Sequence, residues 1–138
     1  MTSFLLDTNV LSEFSRRGEP DQHVDRWLKT MAEESLYASV LTFAEIRRGI
    51  ELLPSGKRRT ELEQWQEEVV ASFETRLLPV TKAIADRWAV LSAQAQRRGT
   101  PLANIDGLIA ATALEYDLTL ATRNVKDFAG VGVMLFNP

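Results

Sequence analysis

The sequence predicts an α/β domain in which a parallel sheet carries helices on both faces. Short apolar runs alternate with longer segments whose apolar residues recur at helical spacing. The turn-forming residues fall at intervals suited to one such domain. A third observation points to function: the first apolar run, Phe4-Leu5-Leu6, ends on an acid, Asp7. In sheets of this kind ligands bind beyond the carboxyl ends of the strands.

Taken in order, Phe4-Leu5-Leu6 reads as a buried first strand. Val24, Trp27, Leu28 and Met31 share one helical face. Leu41, Ala44, Ile50 and Leu53 mark the next helical segment, with Gly56 at its end. Leu62, Trp65, Val69 and Phe73 mark another. Leu77-Leu78 before Pro79 is a minimal strand. Ile84, Trp88, Leu91 and Ala95 predict a helix stopping near Gly99. Ile105, Leu108, Ile109, Thr112 and Ala113 predict the next, with Asn104 as its N-cap. Leu118 to Ala121 and Val131 to Phe136 read as closing strands. Pro20, Pro54-Ser55-Gly56, Pro79, Gly99-Thr100-Pro101 and Gly130-Val131-Gly132 punctuate the chain, and none is long enough to be a linker. Residues 1–138 are therefore expected to form a single domain.

A chain of 138 residues can bury an apolar core without staples. It contains no cysteine, which excludes disulfides and thiolate metal sites and fits a reducing, cytoplasmic setting. Met1-Thr2-Ser3-Phe4 lacks the basic and apolar segments of a secretory signal, so none is expected. The longest apolar stretch, Leu108 to Leu114, is interrupted by Thr112 and falls far short of a membrane span of about 20 residues. Formal net charge is −3 and the pI about 5.2. A passive nucleic-acid binder would be basic. An acidic chain can still act on phosphates when bound cations supply the missing charge.

Three acids stand among apolar or small neighbours. Asp7 follows Leu6, Glu45 lies in Leu41-Thr42-Phe43-Ala44-Glu45-Ile46, and Asp106 lies in Asn104-Ile105-Asp106-Gly107-Leu108. Glu13, Glu33, Glu34, Glu63, Glu67 and Glu68 sit in polar surroundings, as solvated charges do. Each of the three also has a purely structural explanation. Asp7 could cap the turn after its strand. Thr42 and Glu45 fit the S/T-x-x-E capping box. Asp106 could complement a helix macrodipole. Together the structural explanations weaken, because clustered carboxylates repel one another unless a cation neutralises them. Oxygen ligands without His or Cys select Mg²⁺ or Mn²⁺ over zinc.

Four segments, in order, carry a resemblance: residues 4–11 (Phe4-Leu5-Leu6-Asp7-Thr8-Asn9-Val10-Leu11), Ser39 to Gly49, Asn104 to Ala113, and Leu120 to Phe128. In them the chain resembles the PIN-domain nucleases, and within these the VapC and FitB-like toxins of type II toxin–antitoxin pairs. The resemblance implies a three-layer α/β/α sandwich with a central parallel sheet. It also implies hydrolysis of RNA phosphodiester bonds, with Asp7, Glu45 and Asp106 holding Mg²⁺ or Mn²⁺. A fourth acidic position of many relatives falls here on Asn124, a departure from the fully acidic version, with Asp127 three residues on. The implied partners are an RNA substrate, a cognate antitoxin and a second copy in a homodimer, without a membrane.

No covalent nucleophile is required, because a metal-bound water can serve. His23, the single histidine, precedes Val24 and reads as a surface residue rather than a general base. Thr8 and Thr122 could position a water or a phosphate oxygen, or simply make turns. Arg16-Arg17, Arg47-Arg48, Lys57-Arg58-Arg59 and Arg97-Arg98 read individually as solvated helix ends, with Arg47 or Arg48 placed to steer phosphate. Leu62 to Phe73 could supply a dimer interface or pack into the core. A haloacid-dehalogenase-type phosphatase also begins with a strand and an Asp. It wants a second Asp two residues on, where Asn9 stands. A PIN-like binding module without catalysis and a housekeeping RNA-processing nuclease remain the alternatives.

Overall fold

The structure, a computed structural model, describes residues 2–15 and 21–138, the side chains of residues 14 and 15 excepted. Arg16, Arg17 and Pro20 lie outside the described residues. Five strands form one sheet: β1 (Phe4–Leu6), β2 (Leu36–Ser39), β3 (Leu77–Leu78), β4 (Thr119–Ala121) and β5 (Leu135–Phe136). Their order across the sheet is β3-β2-β1-β4-β5, and every pairing is parallel. The helices are α1 (Thr8–Leu11), α2 (Gln22–Thr30), α3 (Val40–Glu51), α4 (Lys57–Phe73), α5 (Lys82–Arg97) and α6 (Asn104–Glu115).

Side chains alternate across a strand, so both faces of the central strand must find apolar cover. Phe4 and Leu6 join Val10, Val24, Ala38, Phe43 and Phe73 in one core, beneath α2, α3 and α4. Leu5 points the other way, into Ile109, Ala110, Ala113, Leu120 and Phe128 beneath α6, with α5 packed along α6. Leu5 and Leu6 are fully buried, which stabilises the fold by roughly 1.5–3 kcal/mol for each side chain. Phe4, Trp27 and Phe136 close the first core at its edge, with Phe4 edge-on to Trp27 at 5.0 Å. The helices over each core and the parallel sheet between them are the three predicted layers.

Several local expectations change. β2 was not predicted, because Leu36-Tyr37-Ala38-Ser39-Val40-Leu41 runs from strand into helix without a turn residue between them. α3 begins at Val40, and its N-cap is Ser39, whose hydroxyl accepts from the Leu41 backbone N–H at 3.0 Å. Thr42 is therefore inside the helix and buried, so the capping box of Thr42 and Glu45 does not exist. Gly56 precedes α4 as its N-cap instead of ending α3. Asn104 is the first residue of α6; its N-cap is Ala103, which offers no side-chain bond. α5 does stop near Gly99, whose left-handed φ of 76° turns the chain so that the Thr100 N–H reaches Ala95 O at 3.0 Å. The last strand is shorter than expected, since Gly130 and Gly132 take φ of 79° and 89° and turn the chain before it.

Candidate active site

β1 pairs with β2 on one side and with β4 on the other, so the crevice at the carboxyl end of the sheet opens between β1 and β4. Asp7 leaves β1 there, its N–H still donating to Ala121 O of β4 at 2.9 Å. Its side chain does two things. Oδ1 accepts the Thr8 N–H at 2.9 Å, capping α1, so the structural explanation of Asp7 holds for that oxygen. Oδ2 accepts the Thr122 hydroxyl at 2.8 Å and Asn9 Nδ2 at 3.4 Å.

Thr122 is wholly buried, and its hydroxyl is fully used. It donates to Asp7 and accepts from the Asn124 N–H at 3.0 Å and from Asn9 Nδ2 at 3.3 Å. Asn9 also accepts the Arg123 N–H on Oδ1 at 3.0 Å. The turn after β1 is thus tied to the turn after β4 through Asn9 and Thr122. Arg123 extends the tie outward, pairing with buried Glu13 and with Asp21, both at 2.9 Å.

Glu45, in the second turn of α3, faces the same crevice; its Oε1 accepts the Thr8 hydroxyl at 2.6 Å. Asp106, in the first turn of α6, is half-buried. Burial holds the Asp7 carboxyl above its ordinary value, against the opposing bonds from Thr122 and Thr8, with repulsion from Glu45 and Asp127 adding to the rise. Asp106 is pushed up to about 6, by desolvation first and then by Asp7, Glu45 and Asp127. Four carboxylates therefore feel one another at this edge of the sheet.

These residues suit a hard divalent cation, because they are all oxygen donors and their mutual repulsion is what such an ion relieves. Among the described residues, no three His, Cys, Asp or Glu side chains already stand as a closed ligand cage. Asp7 and Glu45 are instead held by hydroxyl donors, which leaves each with oxygen lone pairs to spare.

The three acids singled out in the sequence are thus brought into one electrostatic cluster. Asn124 lies exposed in the turn after β4, and it is its backbone N–H that reaches Thr122. Asp127 acts on both Asp7 and Asp106 from the next turn, so its position matters more than the sequence suggested. Asn9 was overlooked as a site residue; its placement two residues after a strand-end Asp, at the start of a helix, is the signal that could have found it. His23 is exposed in the first turn of α2. Arg47 pairs with Glu51 at 2.7 Å, which turns it to its own helix surface rather than to the crevice. Phe73 belongs to the core, while Trp65 lines an apolar groove of about 370 Å³ between α2 and α4. No described helix is long and apolar enough to cross a membrane.

Comparison with known proteins matches residues 4–133 to the PIN domain. The chain is 39% identical to the toxin FitB of Neisseria gonorrhoeae over 135 residues, 97% of this chain and 96% of that protein. It is also 39% identical to the VapC ribonuclease Y4jK of Sinorhizobium fredii, with the same coverage. The crystal structure of FitAcB from Neisseria gonorrhoeae superposes with a TM-score of 0.90 at 39% identity, covering 98% of this chain and 97% of that one.

Proposed function

The chain belongs to the PIN-domain family, and from that premise we propose that it is a Mg²⁺- or Mn²⁺-dependent endoribonuclease, the toxin of a type II toxin–antitoxin pair. The observation that carries this reading is the gathering of three carboxylates from separate elements, Asp7, Glu45 and Asp106, at the crevice between β1 and β4, where burial and the charge of Glu45 raise the proton affinity of Asp7 and Asp106. Relatives named as a toxin and as a VapC ribonuclease, matched over nearly their whole length, support it. So does the likeness to a solved FitAcB structure.

In this reading Asp7, Glu45 and Asp106 would hold the cation, which would supply Lewis-acid activation of water and charge to offset that growing on the phosphate. Asp7 is fixed for that work by its bonds from Thr8 and Thr122, and Glu45 by its bond from the Thr8 hydroxyl. Asn124 is assigned as the fourth site residue beside the phosphate, with Asp127 adding negative charge behind it. The protein works as a single domain over residues 1–138, in the cytoplasm. It forms a homodimer, and a cognate antitoxin restrains it.

The test is cleavage of RNA by protein freed of any partner, with Mg²⁺ or Mn²⁺ and after exhaustive EDTA. Cutting that survives EDTA would overturn the metal-dependent reading. A thermal shift with Mn²⁺ separates the nuclease from a PIN-like module without catalysis, which should gain little stability. Growth arrest on expression, absent from Asp7→Asn at equal soluble levels, tests the toxin role.

A further inference from the structure

A cation bound at Asp7, Glu45 and Asp106 can offset the charge of the one phosphate that reacts. The neighbouring phosphates of an RNA strand then face a protein of net charge −3 and need cationic side chains of their own. Several basic residues are already committed. Arg47 and Arg59 pair with Glu51, Arg76 with Glu33, Lys82 with Asp86, Arg87 with Glu115, and Arg123 with Glu13 and Asp21.

One cleft differs. It has a volume of about 500 Å³ and lies between the end of α5, the loop into α6 and the turn at Val125–Phe128. Asp106 and Asp127 form one part of its lining, so it opens directly from the acidic site. Arg98 and Lys126 form another part, and among the described residues neither has an ion-pair partner. Leu102 and Val131 supply apolar floor on which a sugar or base face can rest. The macrodipole of α5 accounts for a cation at Arg98, which caps that helix, but not for Lys126 on a different element. Two uncommitted cations from separate elements, in one cleft that shares a carboxylate with the acidic site, suit a polyanion running past it.

We propose that this cleft carries the phosphodiester backbone of the RNA strand leading away from the scissile bond, with Arg98 and Lys126 as phosphate-positioning residues. The assignment rests on the ribonuclease reading above. Contacts of this kind fix where the strand lies and carry no base specificity.

The experiment measures kcat and KM with Mn²⁺ for a labelled single-stranded RNA oligonucleotide between 50 and 200 mM salt, for wild type, Arg98→Ala, Lys126→Ala and the double variant. Each substitution should flatten the log–log salt dependence of kcat/KM by about 0.7. In the double variant KM should rise about tenfold while kcat stays within about twofold, since uniform binding is what is lost. The charge-keeping pair Arg98→Lys and Lys126→Arg should restore most of the salt slope, which separates lost charge from a damaged fold. Lys57→Ala, which removes a cation outside the cleft, should keep the wild-type slope. Wild-type KM and slope in the double variant, with wild type cutting normally, would overturn the cleft assignment and leave the ribonuclease reading standing. A wild type that cuts no RNA would overturn both.

Discussion

The hydroxyl of Thr8 donates to Glu45 Oε1 at 2.6 Å, joining residues 37 positions apart in the chain. Thr8 follows the strand that delivers Asp7, so one short segment caps its own helix and orients a carboxylate brought by α3. A hydrogen bond to a charged group contributes about 1.5–3 kcal/mol. Thr8→Val keeps the side-chain shape and removes the donor. Cleavage with Mn²⁺ should fall by roughly tenfold or more, with little change in melting temperature. Wild-type single-turnover rates in this variant would take Thr8 out of the site.

Glu45→Gln tests the acid itself. The amide removes the charge a hard cation needs, so cleavage should drop at least about 100-fold, or roughly 2.7 kcal/mol of transition-state stabilisation. The metal-free protein should be no less stable, because one of several repelling carboxylates has gone. The helix start should respond elsewhere. Ser39→Ala should cost about 0.5–2 kcal/mol as a lost cap. Thr42→Val should be neutral or stabilising, since the buried Thr42 hydroxyl has no hydrogen-bond partner. Melting curves without metal, beside single-turnover cleavage, separate the two positions; a Glu45→Gln protein that cuts like wild type would remove Glu45 from the site.

The first strand and the acids of the candidate site were legible because burial leaves a plain signature. Phe4-Leu5-Leu6 is apolar on both faces, and an acid directly after it needs a reason. Asp106 was legible likewise, as a carboxylate among Ile105, Gly107 and Leu108. What escaped depends on pairing between distant segments. β2 went unread, because its apolar residues run straight into α3 and only the sheet decides where one ends. Asn9 is a small polar residue whose meaning appears when the turns after β1 and β4 lie side by side and it meets Thr122, 113 residues away in the chain. The capping box failed for a related reason: Ser39 and Thr42 both carry a hydroxyl that can cap, only Thr42 has a Glu three residues on, and the strand before Ser39 settles which one caps.

The raised proton affinity at the site makes the metal-free protein sensitive to acid in an unusual direction. Asp106 binds its proton up to about pH 6 in the folded chain, against 3.8 ordinarily, and Asp7 is raised as well. Between those values the folded state holds protons that the unfolded state releases, so the contribution of these groups to stability grows as pH falls from 7 towards 4. Above the folded value it is lost. In EDTA, wild type should therefore gain on Asp106→Asn as pH drops through this window, and lag behind it at pH 7. With Mn²⁺ the dependence should reverse, because protons and cation compete for the same oxygens. Parallel melting-temperature profiles for the two proteins in EDTA would refute the assignment.

Gly107 follows Asp106 in the first turn of α6 and is buried against α5. A Cβ built there would lie 2.8 Å from Trp88 Cδ1, 3.0 Å from Trp88 Nε1 and 3.3 Å from Leu102 Cδ2. Helix propensity alone favours alanine over glycine by about 1 kcal/mol. The contact opposes it, because an indole wedged between two helices cannot move as the end of a flexible chain can, and overpacking costs about 1–3 kcal/mol. Gly107→Ala should therefore be net destabilising by roughly 1–2 kcal/mol. By forcing α6 from α5 at the turn that carries Asp106, it should also lower kcat more than it raises KM. In a Trp88→Leu background the same change should become neutral or stabilising, which a double-mutant cycle on melting temperature reads as positive coupling. Strictly additive effects would mean that Trp88 does not set the position of the Asp106 turn.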